Sequence, residues 1–85
     1  MPEVSRFYGI VITINYNDHA PPHFHARYGG HQVVLAIGGG ILAGWLPPRA
    51  LSLVHQWAAA HREELLADWE RARSQLPLVP IAPLD

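Results

Sequence analysis

The amino-acid sequence predicts an α+β fold, in which a four-stranded antiparallel β-meander packs against one long or two consecutive C-terminal α-helices. Three observations support this prediction. Apolar side chains alternate between residues 7 and 16, which is the period of a half-buried strand. Glycine pairs and triplets separate the apolar segments that follow, as they do in hairpins. Beyond Pro48 the apolar residues recur every three or four positions, which indicates a helix.

The first strand is predicted over residues 7–16, where the even positions are Tyr8, Ile10, Ile12, Ile14 and Tyr16. The segment NDHAPP at 17–22 ends it, because Asn and Asp favour turns and Pro cannot donate to a sheet ladder. A second strand is predicted over residues 23–28. Along it His23, His25 and Arg27 share one face, and the residues between them share the other.

The third and fourth strands are predicted in QVVLAI (32–37) and ILAGWL (41–46). YGGH at 28–31 is predicted to form the tight turn before the third strand, and GGG at 38–40 the turn after it. The glycine triplet lacks the spacing and the strand-to-helix context of a phosphate-binding loop, so we interpret it as a turn.

The helical region is predicted from Pro48, which suits a first helical turn, to about Ser74. No Gly or Pro lies within 49–74, so the helix either continues or breaks near His61 without being forced to break. The positions of its apolar stripe are Val54, Trp57, Ala58, His61, Leu65, Trp69 and Ala72. All three tryptophans, including Trp45, are expected in the core because each ring buries about 150–250 Å².

Length and composition predict a small protein that associates. The 85 residues are expected to form one domain over 1–75, followed by a Pro-rich extended tail over 76–85 whose apolar side chains can dock in a groove. So short a chain buries only about 60–65% of the surface of its unfolded form. Since 49% of its residues are hydrophobic and only 15% are charged, we expect a homo-oligomer or a complex with a partner protein.

Charge and cysteine content narrow the functional classes. The net charge is −1, with six basic and seven acidic residues, so nucleic-acid binding is possible but is not supported by the net charge. The absence of cysteine excludes disulfides and thiolate chemistry. The apolar runs near the N-terminus are too short for a signal segment or a membrane span, so we expect a cytoplasmic protein with no membrane partner.

Four of the six histidines lie within NDHAPPHFHARYGGH at 17–31, which raises the hypothesis of a metal site. His23 and His25 lie on one strand face about 6.5–7 Å apart along the backbone, so both rings can reach one ion. A divalent transition metal such as zinc needs at least one further protein ligand. The candidates for it are His19, Asp18 and, from the helix, His61.

The same residues fit a metal-independent ribonuclease-like enzyme. In that hypothesis one imidazole of His19, His23 or His25 accepts a proton, a second protonates the leaving oxygen, and Arg27 stabilises the phosphorane charge.

A purely structural interpretation also stands, in which Asp18 and His19 hold the two-proline turn through local hydrogen bonds. His61 would then be a half-buried helix residue, while His31 and His55 would be solvated. Arg49 opposes the helix dipole, so it either pairs with an anion such as Asp18 or a ligand, or simply lies at the surface.

The segments MPEVSRFYGIVI, YNDHAPPHFHARYGG, LPPRAL and HREELLADWERAR, in this order, resemble the small bacterial family catalogued as domain of unknown function 4160. The resemblance covers residues 1 to about 75, and DH-x-PPH-x-H is its most specific motif. It implies a β-meander with C-terminal helices and a gene that often lies beside that of another small protein in a toxin–antitoxin-like pair. The family pattern falls on Asp18, His19, Pro21, Pro22, His23, His25, Arg49, His61 and Trp69.

Three functional hypotheses follow. The first is a small bacterial protein that acts in a complex with a partner encoded nearby, as a member of a toxin–antitoxin-like pair. The second is a metal-binding protein or metal-independent ribonuclease-like enzyme built on the histidine cluster. The third is a structural dimerisation module. For the second we expect His19, His23 and His25 to point into one concavity, with Asp18 orienting an imidazole and Arg27, Arg49 or His61 at the rim.

Overall fold

The computed structural model describes residues 2–85, which form one five-stranded antiparallel sheet followed by two helices. Each strand pairs with the next one in the sequence, in the order β1-β2-β3-β4-β5. The elements are β1 Glu3–Phe7, β2 Ile10–Thr13, β3 His23–Tyr28, β4 His31–Ala36, β5 Ile41–Gly44, α1 Pro48–Ala60 and α2 Arg62–Arg73. The α+β class and the meander are confirmed, with one strand more than the four predicted.

The additional strand arises because the predicted first strand, residues 7–16, is wrong in extent. The chain reverses at Tyr8 and Gly9, both in the left-handed region with φ of 50° and 79°, and β1 pairs with β2 across this turn. Such a pair of conformations matches the twist of a hairpin, but a tyrosine rarely adopts it, so composition gives little warning of the turn. The alternation itself was correctly predicted, since Ile10, Ile12 and Ile14 are fully buried.

The core lies between the two helices and one face of the sheet. Trp57 of α1 is completely buried and its ring packs 5.4 Å from Phe7 and 6.0 Å from Phe24, between centroids. Trp69 of α2 is buried as well, so the prediction for these two tryptophans is confirmed. Trp45 contradicts its prediction: it is 56% exposed, because it follows β5 at the margin of the sheet and makes only an edge-to-face contact with the exposed His31.

The helical region consists of two consecutive helices, one of the two forms predicted. His61 separates them with φ −124° and ψ 27°, although its N–H still bonds to Trp57 and Ala58 and its carbonyl accepts the N–H of Leu65. The break therefore keeps the backbone hydrogen bonds of His61 itself. Neither α1 nor α2 has the length and the apolar character that crossing a membrane requires.

The tail over residues 76–85 has no helix or strand, and it packs along the outer edge of β1. The N–H of Ile81 donates to the Val4 carbonyl at 2.8 Å, and the Ile81 side chain is buried in the core. Trp57 donates its indole N–H to the Ala82 carbonyl, and Asp68 accepts the N–H of Val79, both at 2.8 Å. The tail thus covers one edge of the sheet and satisfies the polar group of the largest core residue.

We expect Ile81→Ala to lower the free energy of unfolding by about 2–4 kcal/mol, because it removes a buried aliphatic side chain from the core. Val79→Ala is the matched control: its side chain is 49% exposed, so the change should stay within about 0.5 kcal/mol. Urea unfolding followed by circular dichroism measures both. Equal stability of the two variants would show that the tail is not part of the folded core.

Candidate metal site

The candidate site lies at the start of β3, where the turn before this strand and Trp69 of α2 meet the end of the sheet. Phe24 and Ala26 point into the core, so alternation directs His23 and His25 to the other face. His25 lies in the middle of this face, opposite Thr13 of β2 and Val34 of β4. The sheet therefore fixes the position of its imidazole from both sides.

The turn between β2 and β3 brings a carboxylate to these two imidazoles. Asp18, His23 and His25 each offer one ligand atom, and the three atoms lie within 4.8 Å of one another. Asp18 Oδ2 is 3.0 Å from His23 Nε2 and 3.4 Å from His25 Nε2. All three side chains are only partly exposed, so water screens their interactions incompletely.

The surroundings of His23 constrain its protonation in a specific way. Its Nδ1 lies 2.8 Å from the Pro21 carbonyl oxygen, which only accepts hydrogen bonds, so Nδ1 must carry a hydrogen. A neutral ring then has a lone pair on Nε2, which faces the Asp18 carboxylate at 3.0 Å. Two acceptors at this distance repel each other unless a cation, either a proton or a metal ion, lies between them.

His25 is surrounded by two side-chain amides. Its Nε2 lies 3.4 Å from Asn15 Nδ2, and its Nδ1 lies 3.3 Å from Gln32 Nε2. Within residues 2–85 the Asn15 Oδ1 atom is buried without a hydrogen-bond partner. Rotating either amide by 180° exchanges its oxygen and nitrogen, so both amides can adapt to a ring whose Nε2 binds an ion.

Trp69 forms the apolar wall of the site. Its ring centroid lies 5.1 Å from that of His23, and the His23 and His25 rings are 5.4 Å apart. A buried indole beside an imidazole lowers the local dielectric, which strengthens the attraction between the Asp18 carboxylate and any cation bound there. The indole is also a fluorescent reporter next to the candidate ligands.

The other predicted ligands lie outside this group. His19 is exposed and does not join Asp18, His23 and His25. His61 lies at the α1–α2 junction, where Nδ1 is 2.6 Å from Glu64 Oε1 and the ring packs 5.6 Å from that of Trp57.

Arg27 and Arg49 are exposed, and each is associated with other groups. The Arg6 side chain donates hydrogen bonds to Glu3 and so lowers the pKa of that carboxyl, and the charges of Arg6 and Arg27 lower it further. Arg49 forms no ion pair within residues 2–85 and lines a separate cleft of about 460 Å³ with Tyr8 and Tyr28. Asp18 is therefore not the anionic partner of Arg49.

Sequence reasoning did not identify Asn15 and Gln32 as neighbours of the site. The signal was the strand register: Thr13 pairs with His25, so continuing the β2–β3 ladder by two residues places Asn15 opposite His23. Across the two-residue Gly29–Gly30 turn, β4 carries Gln32 to a position diagonal to His25.

The fold and the site define the chain as a small α+β domain with a histidine–aspartate cluster at the start of β3. The chain belongs to the family described as Domain of unknown function (DUF4160), whose model matches residues 9–70. No curated protein and no solved structure matches the chain. The family match gives no support to a toxin–antitoxin role, which stays a prediction.

The structure assigns His61 to packing, and this assignment can be tested. We expect His61→Ala to destabilise the fold by about 1 kcal/mol, because it removes the contact with Trp57 and the hydrogen bond to Glu64. His55→Ala, at an exposed position of α1, should change stability by less than about 0.5 kcal/mol. Thermal unfolding compares the two, and loss of zinc binding in His61→Ala would contradict the assignment.

Proposed function

We infer that the protein binds a divalent transition-metal ion through Asp18, His23 and His25, with zinc as the ion that suits these ligands best. The observation that supports this most strongly is the His23 ring, whose Nδ1 faces the Pro21 carbonyl while Nε2 faces a carboxylate. Metal-binding histidines commonly donate their second ring N–H to a carbonyl in this way, which orients the ring and increases its basicity.

The spacing of the candidate ligand atoms agrees with a tetrahedral ion. Zinc bonds of 2.0–2.1 Å at tetrahedral angles separate neighbouring ligand atoms by about 3.3 Å. The distances from Asp18 Oδ2 to the two Nε2 atoms are 3.0 and 3.4 Å, close to two edges of such a tetrahedron, and all three ligand atoms lie within 4.8 Å of one another. Imidazole and carboxylate ligands without thiolate suit zinc, iron, nickel or manganese, and geometry then favours zinc.

Asn15 is placed to supply the fourth ligand. Its Nδ2 atom lies 3.4 Å from His25 Nε2. This distance is close to that between neighbouring ligand atoms around a tetrahedral zinc ion. With the amide rotated, its oxygen points to the ion position in place of the nitrogen. The four donors would then come from the end of β2, the turn and β3.

Binding of the ion would add to the stability of the fold. The proposed ligands lie on both sides of the turn at 17–22, and an ion that binds only the folded chain stabilises it by mass action. At a free zinc concentration 100 times the dissociation constant, this amounts to about 2.7 kcal/mol. For a domain of this size the midpoint of thermal unfolding would rise by about 10–20 °C.

We expect the purified protein to bind one zinc ion per chain, measured by elemental analysis and calorimetric titration. His23→Ala and His25→Ala should each weaken zinc binding by more than about 100-fold, because each removes a side chain that binds the ion directly. Losing only an outer-shell partner typically weakens binding by about 10–100-fold. His19→Ala and His31→Ala are matched controls, since both remove exposed imidazoles outside the site and should bind as the wild type does.

A wild-type protein that holds no metal, gives no heat with zinc and does not gain thermal stability would reject the metal site. The acid–base hypothesis uses the same histidines, so RNA cleavage is measured in parallel in the presence of a chelator. Cleavage that persists without metal and disappears in His23→Ala would favour a ribonuclease-like activity. Absence of both zinc binding and cleavage would leave an ion pair that only holds the turn.

The ligand role of Asn15 makes a separate prediction. Asn15→Ala should weaken zinc binding by about 10–100-fold, while Asn15→Asp should bind at least as tightly as the wild type because a carboxylate oxygen replaces the amide oxygen. Visible absorption of the cobalt-substituted protein should change in the alanine variant, since the fourth ligand is replaced by water. Unchanged affinity and an unchanged cobalt spectrum would exclude Asn15 as a ligand.

A further inference from the structure

The two edge strands of the sheet, β1 and β5, differ in what protects their outer edges. The outer edge of β1 contacts the C-terminal tail at one point, where Ile81 donates its N–H to the Val4 carbonyl, and β1 carries the charged pair Glu3 and Arg6. The last strand, β5, pairs only with β4 among the residues described. Its other edge therefore presents unpaired main-chain N–H and C=O groups, which are the groups that a further strand recognises.

The side chains along this edge are apolar. All four residues of β5 are exposed, and Ile41, Leu42 and Trp45 are three of the large hydrophobic residues that the fold leaves at the surface. The bulge in the β4–β5 ladder leaves Leu42 without a partner in β4.

No Asp, Glu, Lys or Arg occurs between Tyr28 and Pro48, so the edge lacks the charges that usually prevent strand pairing. This segment also contains no proline before Pro47 to block a ladder.

We propose that β5 pairs with β5 of a second copy of this chain, joining two five-stranded sheets into one continuous sheet across a two-fold axis. The sequence around β5 is self-complementary in an antiparallel arrangement. With Ala43 opposite Ala43 of the second copy, Ile41 lies opposite Trp45 of that copy, so apolar side chains meet on both sides of the axis.

Protection of the β1 edge explains why strand pairing between copies stops at a dimer. A sheet with two open edges adds copies without limit and forms a filament, whereas a single open edge gives a closed, isologous dimer. Because the tail bonds to Val4 and the charged pair Glu3 and Arg6 flanks this position, β1 is protected, whereas β5 lacks such protection among residues 2–85. The dimer also accounts for exposed apolar side chains that a monomer of this size leaves in water.

Sedimentation of the purified full-length protein over a range of concentrations tests the interface. We expect a dimer for the wild type and a monomer for Leu42→Lys, because a charge on the edge opposes pairing. Leu66→Lys is the matched control: Leu66 lies on α2 and is 42% exposed, against 47% for Leu42, so this variant should remain dimeric.

A wild type that stays monomeric at all concentrations, or a Leu42→Lys protein that dimerises like the wild type, would overturn the proposal. Because the chain has no cysteine, Ala43→Cys provides a second test that does not depend on weakening the fold. Oxidation should give a covalent dimer with unchanged circular dichroism, since directly opposite residues lie within disulfide range. A folded dimer that fails to cross-link would exclude this register, and monomers that bind a different small protein through β5 would exclude self-pairing.

Discussion

Alternation along β3 is the constraint on which both the core and the candidate site depend. Phe24 and Ala26 point into the layer between the sheet and the helices, so the histidines on either side of Phe24 must point away from it. A slip of one residue against β2 would bury both imidazoles and expose Phe24. Since Phe24 packs on Trp57, the packing that fixes the register also directs the imidazoles of the candidate site.

The C-terminal tail completes the structure in a way that a short chain requires. A domain of 85 residues has a small core. Trp57 is fully buried in it, and a buried indole N–H needs a hydrogen-bond acceptor. The Ala82 carbonyl is that acceptor, while Ile81 extends the core and bonds to β1. A segment without regular structure thereby serves core packing, polar satisfaction and protection of a sheet edge at once.

The fold could be predicted from the sequence wherever one periodic rule dominates, as in the alternation of the strands and the apolar stripe that carries Trp57. The turn at Tyr8 escaped prediction because alternation continues through it and tyrosine is unusual in a left-handed conformation. At the site, alternation predicted that His23 and His25 share a face. Which residue of the 17–22 turn would join them could not be predicted, because a turn has no period and its path depends on tertiary packing.

The two proposals rest on two groups of atoms within residues 2–85. His23 Nε2 lies 3.0 Å from the Asp18 carboxylate, where either a proton or a metal ion can lie between them, and β5 has an outer edge that pairs with no other described strand. The proposed zinc ion would bind at the turn before β3, whereas the proposed second copy would bind at β5, on the opposite side of the sheet from β1. Since β3 and β4 lie between them in one hydrogen-bonded ladder, the sheet that orients His25 is the same sheet that a β5 partner would extend. Association at β5 would therefore stiffen the strands on which the ligand geometry depends, while leaving the ligand atoms themselves free to bind.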